Sequence, residues 1–387
     1  MSSSTVRPLS SRLPKVGVTI FTVMSKMAED FGAINLSQGY PDFSAPDRLL
    51  ELLTKHARAG RNQYPPMAGV MHLREQIAVK VANIYKCDVN PDSEITVTSG
   101  ATEALFVAIQ TVIHPGDEAI VLDPAYDSYD PAITMAGGKT IHIPLDSPGF
   151  TIDWEKVRAK INSRTRLLIL NSPHNPCGTI FTGADLEILA DIVEEHDLHI
   201  ISDEVYEHMV FDNASHLSML CSERLRKRSF VISSFGKTYH ATGWKIAYCI
   251  APARYTEEFR KVHQYVTFTT HTPSQWAIAD FMQECPEHHL ELPQFYQHKR
   301  DWFLQAMADS RFSMTPSQGS YFQLADYSNI SDKNDVEFAN YLTQEVGVAA
   351  IPISVFYESP PTQHIVRFCF AKDDKTLTEA ALRLSKI

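Results

Sequence analysis

Ser233-Ser234-Phe235-Gly236-Lys237-Thr238-Tyr239-His240-Ala241-Thr242-Gly243-Trp244-Lys245 follows an apolar run, Phe230-Val231-Ile232, that reads as a buried strand. Lys237 stands just past a glycine, small and hydroxyl-bearing residues surround it, and a second cation, Lys245, lies beyond. A lysine at the end of a buried strand can be held near a carbonyl and partly desolvated, and both favour the neutral amine that forms a Schiff base. Hydroxyls and a further cation suit a phosphate dianion. Capture of an aldehyde beside a phosphate site points to pyridoxal phosphate, whose chemistry needs a lysine, a partner for the ring nitrogen and a phosphate cup. The same string also fits a surface-loop lysine behind a buried strand, so its partners elsewhere in the chain decide.

Outward from this stretch, apolar strand-like runs alternate with helical patterns. Glu94-Ile95-Thr96-Val97-Thr98 leads through Ser99-Gly100-Ala101-Thr102 into a helix expected from Glu103. Such a turn presents open backbone N–H groups and the positive end of a helix dipole to an anion, although a plain serine cap has the same appearance. Ala119-Ile120-Val121-Leu122 ends at Asp123-Pro124-Ala125-Tyr126, and Leu167-Leu168-Ile169-Leu170 ends at Asn171-Ser172-Pro173-His174-Asn175-Pro176. A helix over 184–195 precedes His199-Ile200-Ile201-Ser202-Asp203-Glu204-Val205-Tyr206, and 246–250 completes the set. Near-continuous apolar strands separated by helices mean a mostly parallel sheet covered on both faces. Ligands of such sheets bind at the strands' carboxyl ends, where each of these polar clusters lies. Helices are also expected over 46–58 and 72–85. After about Pro273 the pattern shifts to helices over 274–282, 291–307, 335–345 and 375–384 with short strands over 320–324 and 364–370, a smaller α+β unit.

Residue types match the remaining needs of pyridoxal chemistry. Asp203, at a strand end, suits the ring nitrogen; Asn175 and Tyr206 can serve the ring's 3-oxygen; Tyr126 can cover the ring face. Ala101, Thr102, Ser234 and Lys245 can serve the phosphate. Each has a plainer reading: Asp203 as a helix cap, Asn175 as a turn residue, Tyr126 as core. Their meeting at one edge of one sheet is what favours the site.

With these residues in view, the chain resembles the class I, fold-type-I, pyridoxal phosphate-dependent aminotransferases along nearly its whole length. The likeness rests on Asn35-Leu36-Ser37-Gln38-Gly39, Thr98-Ser99-Gly100-Ala101-Thr102-Glu103-Ala104, Asn171 to Pro176, Ser202-Asp203-Glu204-Val205-Tyr206, Ser233 to Lys245, and Arg367-Phe368-Cys369-Phe370. Within the family it is most similar to bacterial methionine aminotransferases, related to the kynurenine and glutamine aminotransferases. Thr19-Ile20-Phe21-Thr22, Asp127-Ser128-Tyr129, Lys237-Thr238-Tyr239-His240 and Val262-His263-Gln264-Tyr265 support that placement. The resemblance implies an α/β fold. An N-terminal arm with part of a small domain (1–47) precedes a large cofactor-binding domain (48–275) and the C-terminal small domain (276–387). It implies Lys237 as the Schiff-base lysine, Gly100 within the phosphate-binding motif, and Arg367, assisted by Asn175, on the substrate carboxylate. It also implies a homodimer with shared sites, in which Tyr64 reaches the neighbouring subunit's phosphate. Ile20, Phe21, Gly39, Tyr40 and His271 would line the side-chain pocket. Lys245 stands where many class I enzymes carry arginine, and Thr102 where kynurenine-type relatives often carry a bulky aromatic. The expected reaction is ping-pong transfer of an amino group from methionine, an aromatic amino acid or glutamine to a 2-oxo acid. A β-lyase acting on cysteine conjugates or cystathionine, a kynurenine aminotransferase and a non-catalytic cofactor-binding protein are the alternatives.

Composition narrows the field further. The 387 residues are 44% hydrophobic and 21% charged, with a formal net charge of −11, which argues against general nucleic-acid or anionic-membrane binding. No apolar run approaches the roughly 20 residues of a membrane span. Six cysteines show no C-x-x-C pair and read as reduced thiols, and the sixteen histidines show no convincing metal set. The acid-free N-terminus, with Arg7, Arg12, Lys15 and Lys26, has transit-peptide character, but Pro8 and Pro14 break an amphipathic helix. A short tip, an ordered arm and a cytoplasmic setting are expected.

Overall fold

Along the run 167–170, Leu167 and Ile169 enter one core while Leu168 and Leu170 enter the other, as the two-residue period of a strand requires. The computed structural model describes residues 9–387; the first eight residues of the expected arm, including Arg7 and Pro8, lie outside the described residues. The strands are β1 (Ile34–Asn35), β2 (Ile95–Thr98), β3 (Glu118–Asp123), β4 (Lys139–Pro144), β5 (Thr165–Asn171), β6 (His199–Asp203), β7 (Ser229–Ser234), β8 (Ala247–Ile250), β9 (Phe322–Asp326), β10 (Val348–Ala349), β11 (Ile351–Pro352) and β12 (Ile365–Cys369).

A seven-stranded sheet has the order β2-β8-β7-β6-β5-β3-β4, with β8 antiparallel to both neighbours and every other pair parallel. The mostly parallel sheet is therefore present, and the carboxyl ends of β2, β3, β5, β6 and β7 share one edge. From β5 the chain proceeds outward through β6 and β7, whereas β3 and β4 lie on the other side. That reversal opens a crevice between the segments leaving β3 and β5, the usual ligand position in such sheets. Strand β4 escaped the sequence reading because it is an edge strand in which only Ile143 is buried; it lacks the continuous apolar run of its neighbours. The helix Ala101–Val112 begins two residues before the expected Glu103.

The C-terminal half supplies the antiparallel sheet β11-β12-β9, and β1 pairs in parallel with β10. Met24 and Leu36 share a core with Val348, Phe368 and Leu377, so the start of the described chain packs with its end. The helix Ile20–Asp30, capped by Thr19, lies where only an ordered arm was expected. The expected boundary at 275/276 falls inside the helix Thr272–Glu284, whose Ala277, Ile278 and Phe281 sit in the large core. The expected helix over 335–345 is an α-helix, Asp335–Tyr341, continued by a π turn, Leu342–Val346. No helix among the described residues is long and apolar enough to cross a membrane.

Candidate active site

A cavity of about 330 Å³ opens at the carboxyl edge of the large sheet. From the sequence candidates it gathers Lys237, Ser234, Lys245, Gly100, Ala101, Thr102, Tyr126, Asn175, Asp203, Tyr206, Arg367, Gly39 and Phe21. The single chain does not bring the other candidates to this cavity. Tyr64 is 82% exposed and packs edge-on against Phe268 at 5.4 Å. Tyr40 is largely exposed, with Lys372 over its ring at 4.8 Å. Ile20 lines a neighbouring groove, and His271 binds the Ser274 hydroxyl at 2.7 Å at the start of the helix Thr272–Glu284.

Lys237 leaves β7 on a four-residue helical turn, Phe235–Thr238. Phe235 anchors this turn by stacking on Tyr239 at 5.8 Å and packing on Tyr248 at 5.0 Å. Gly236 permits the return of the chain, since a Cβ there would lie 3.0 Å from Thr242 Cα. Lys237 Nζ donates to the Gly39 carbonyl at 2.9 Å and to the Tyr321 hydroxyl at 2.8 Å. Burial pulls its pKa down to about 8, with Arg367 and Lys245 acting in the same direction. An amine near that value is available as a nucleophile or base close to neutral pH.

The helix Ala101–Val112 starts at Gly100, whose φ of +81° favours glycine and which no side-chain cap covers. A Cβ on Gly100 would lie 2.9 Å from Lys245 Nζ. A helix N-terminus and an ammonium group thus meet across a position where only glycine fits, a cradle suited to an anion. Ser234 and Thr242 complete that side of the cavity.

Asp203, the last residue of β6, is buried, and burial raises its pKa to about 6. Its Oδ2 accepts from the Tyr129 hydroxyl at 2.7 Å, while Oδ1 has only a long contact, 3.4 Å, from the Val205 N–H. A carboxylate in that condition gains most from a nearby N–H cation. The turn after β6 is clamped from behind by Glu207, which accepts from Lys80 at 2.6 Å, from Tyr248 at 2.8 Å, and from the hydroxyls of Tyr85 and Ser233. Burial alone would raise the Glu207 pKa; Lys80 and its other donors hold it well below the usual carboxylate range. This buried cluster ties the segment carrying Asp203 and Tyr206 to β7, which carries Lys237.

Arg367, on β12, is fully buried. Its Nη1 donates to Asn175 Oδ1 at 2.7 Å and Nη2 to the Ser37 carbonyl at 2.8 Å, but Nε has no hydrogen-bond partner among the described residues. Phe322 lies over the guanidinium at 3.9 Å, and Gly39 makes room for that ring, since a Cβ there would meet it at 2.8 Å. Burial pulls Arg367 down to about 10, still cationic at neutral pH. A buried cation with an orphaned N–H is poised for a carboxylate from outside the chain.

Sequence reasoning missed Tyr129, Asn171, Gln38, Tyr321 and Phe322. Asn171 Nδ2 donates to the Asp203 carbonyl at 2.8 Å, and its Oδ1 accepts from the Asn175 N–H at 2.7 Å, joining the ends of β5 and β6. Asn171 and Tyr129 stood inside quoted strings, so strand-end position was the available signal. Tyr321 and Phe322 carried none, since two aromatics leading into a short strand are ordinary core residues in sequence.

A family model, Aminotransferase class I and II, matches residues 32–384. Methionine aminotransferase of Escherichia coli (strain K12) is 51% identical over 377 residues, 97% of this chain and 98% of that protein. Kynurenine–oxoglutarate transaminase 1 of Homo sapiens is 32% identical over 410 residues, 97% of each. The crystal structure of YbdL from Escherichia coli, for which a methionine aminotransferase function is reported, superposes with a TM-score of 0.97 at 50% identity, covering 99% of this chain and 100% of that one. With its parallel sheet and its lysine and arginine facing one cavity, the chain belongs to the class I and II aminotransferase family, as a fold-type-I transaminase dependent on pyridoxal phosphate.

Proposed function

We propose that this chain takes the amino group of methionine, and with overlapping preference that of aromatic amino acids or glutamine, and passes it to a 2-oxo acid. The observation that carries the reading is one cavity holding both a partly desolvated lysine and a buried arginine with an unpartnered Nε. The similarity to the E. coli methionine aminotransferase supports methionine as donor.

The residues present fit pyridoxal phosphate. Gly100, Ala101, Thr102, Ser234 and Lys245 would hold its phosphate, Asp203 its ring nitrogen, Asn175 and Tyr206 its 3-oxygen, and Tyr126 its ring face. When bound, the cofactor supplies an aldehyde for Schiff-base formation and an electron-withdrawing ring that stabilises charge at the substrate α-carbon. Asp203 would stand against the ring nitrogen and favour its protonated form. Arg367 and Asn175 would orient the substrate carboxylate in the cavity that Lys237 lines. Lys237 Nζ would serve as the base that removes the α-proton and as the acid that holds it for return. The walls around Arg367 are apolar, with the Phe322 ring 3.9 Å and the Phe21 ring 5.6 Å from its guanidinium. An unbranched thioether suits them, and because such walls discriminate by only about 1–3 kcal/mol per methylene, substrate overlap follows.

Mixing the holoenzyme with L-methionine, without an acceptor, should bleach the lysine-bound chromophore and release one equivalent of 2-oxo acid. Glutamine, phenylalanine and kynurenine run alongside rank the donors. Pyruvate and ammonia released from a cysteine conjugate without any acceptor would move the assignment to a β-lyase. An unchanged spectrum with methionine would remove methionine as donor. The proposed assembly is a two-fold homodimer in which the exposed Tyr64 reaches the neighbouring subunit's phosphate. Light scattering should give twice the chain mass, and a monomer with full activity would overturn the shared site. A cytoplasmic setting is proposed with it, consistent with six free cysteines.

A further inference from the structure

We propose that Tyr321 is a positioning residue that aims the lone pair of Lys237 at the substrate, an inference that rests on the lysine's role proposed above. Tyr321 is fully buried just before β9, its ring edge-on to Tyr206 at 5.0 Å and to Phe322 at 4.9 Å. Its hydroxyl donates to the Gly39 carbonyl, and Lys237 Nζ stands 2.8 Å from the phenolic oxygen.

The proton count fixes the direction of each bond. A phenol has one proton, and here it is given to Gly39, so toward Lys237 the oxygen accepts. A neutral amine has two N–H groups and one lone pair. One N–H goes to Gly39 O at 2.9 Å and the other to Tyr321 at 2.8 Å. Both N–H groups are thereby turned to the wall formed by Gly39 and Tyr321, and the lone pair is left for the cavity that Lys237 lines. A base whose lone pair is fixed this way loses less orientational freedom when it removes the α-proton. Burial pushes the Tyr321 phenol well above its ordinary pKa, so the hydroxyl keeps its proton, and the pattern holds whenever Lys237 is the neutral amine, the state in which it can act as a base. The Tyr206 ring, 5.4 Å from Nζ, and the Tyr321 ring, at 5.3 Å, bound the space in which the amine can swing.

Tyr321→Phe removes the acceptor and keeps the ring. In the holoenzyme, kcat with methionine should fall about 10-fold to 30-fold, less than the roughly 100-fold that a 1 Å misplacement can cost, while KM changes little. The primary isotope effect with α-deuterated methionine should rise, because proton removal becomes more rate-limiting. A second readout needs no turnover. Losing an acceptor favours the uncharged amine, so the pH midpoint for uptake of pyridoxal phosphate by the cofactor-free full chain should move down by roughly half a unit to one unit. Tyr321→Leu separates packing from hydrogen bonding: an oxygen-specific role predicts the same raised isotope effect in both variants, whereas a packing role leaves Tyr321→Phe like the wild type. If Tyr321→Phe does not fold, 3-fluorotyrosine at position 321, a weaker acceptor of nearly the same shape, should lower kcat and raise the isotope effect in the same direction. Unchanged kcat and isotope effect in the folded variant, with an active wild type, overturn this proposal alone. A wild type that does not react with methionine or any other amino donor overturns the reading beneath it.

Discussion

Lys237→Ala is expected to lower kcat/KM with methionine by at least about 10⁴-fold, the upper range for removal of a positioned acid–base group. The effect should fall mainly on kcat, because the substrate carboxylate sites at Arg367 and Asn175 are untouched and proton transfer is the step that loses its base. The variant should still take up pyridoxal phosphate, since the Gly100–Thr102 turn, Ser234, Lys245 and Asp203 remain. Borohydride should then no longer fix the cofactor to the chain. A small primary amine added to the variant should restore part of the lost rate, more efficiently the better it fits the space vacated by the lysine side chain. Among the described residues no other lysine stands ready as a substitute: Lys245 also lines the cavity, but its Nζ lies against Gly100 on the anion side. A variant that retained even a hundredth of the wild-type rate without added amine would remove Lys237 from the centre of the chemistry.

Much of this site was legible because polar residues directly follow apolar runs. Asp203 at the end of β6, Ser234 at the end of β7 and Asn175 in the turn after β5 are each forced to one edge once the strands are parallel and buried. The same logic could not reach Tyr321 or Phe322. Their importance comes from a tertiary approach: Gly39, far away in the chain, lacks the Cβ that would collide with Phe322, and its carbonyl meets Tyr321. Nor could composition reveal that helix Thr272–Glu284 packs in the large core across the expected domain boundary, since its apolar pattern fits either side. Tyr64, Tyr40, Ile20 and His271 came from family likeness, and within one chain nothing brings them to the cavity.

Arg367→Lys, a charge-conserving change, is expected to raise KM for methionine by about 10²-fold to 10³-fold, with a smaller fall in kcat. The guanidinium already holds two partners: Nη1 donates to Asn175 and Nη2 to the Ser37 carbonyl, while its buried Nε has no partner among the described residues. An ammonium group has no planar fork, so it cannot keep Asn175 in place while presenting paired donors to a carboxylate. Hydrogen bonds to charged groups contribute about 1.5–3 kcal/mol each. Loss of one such bond with misalignment of a second corresponds to the stated range at about 1.4 kcal/mol per factor of ten. Phe322 loses its stacked guanidinium as well, so the pocket wall loosens next to the substrate side chain. The carboxylate is bound before and during proton transfer, which is why the loss appears chiefly in KM. The test compares methionine with the corresponding amine that lacks the carboxylate. Wild type and Arg367→Lys should differ widely with methionine and hardly at all with the amine. An equal loss on both would mean that Arg367 supports the fold of the cavity and does not recognise the substrate carboxylate.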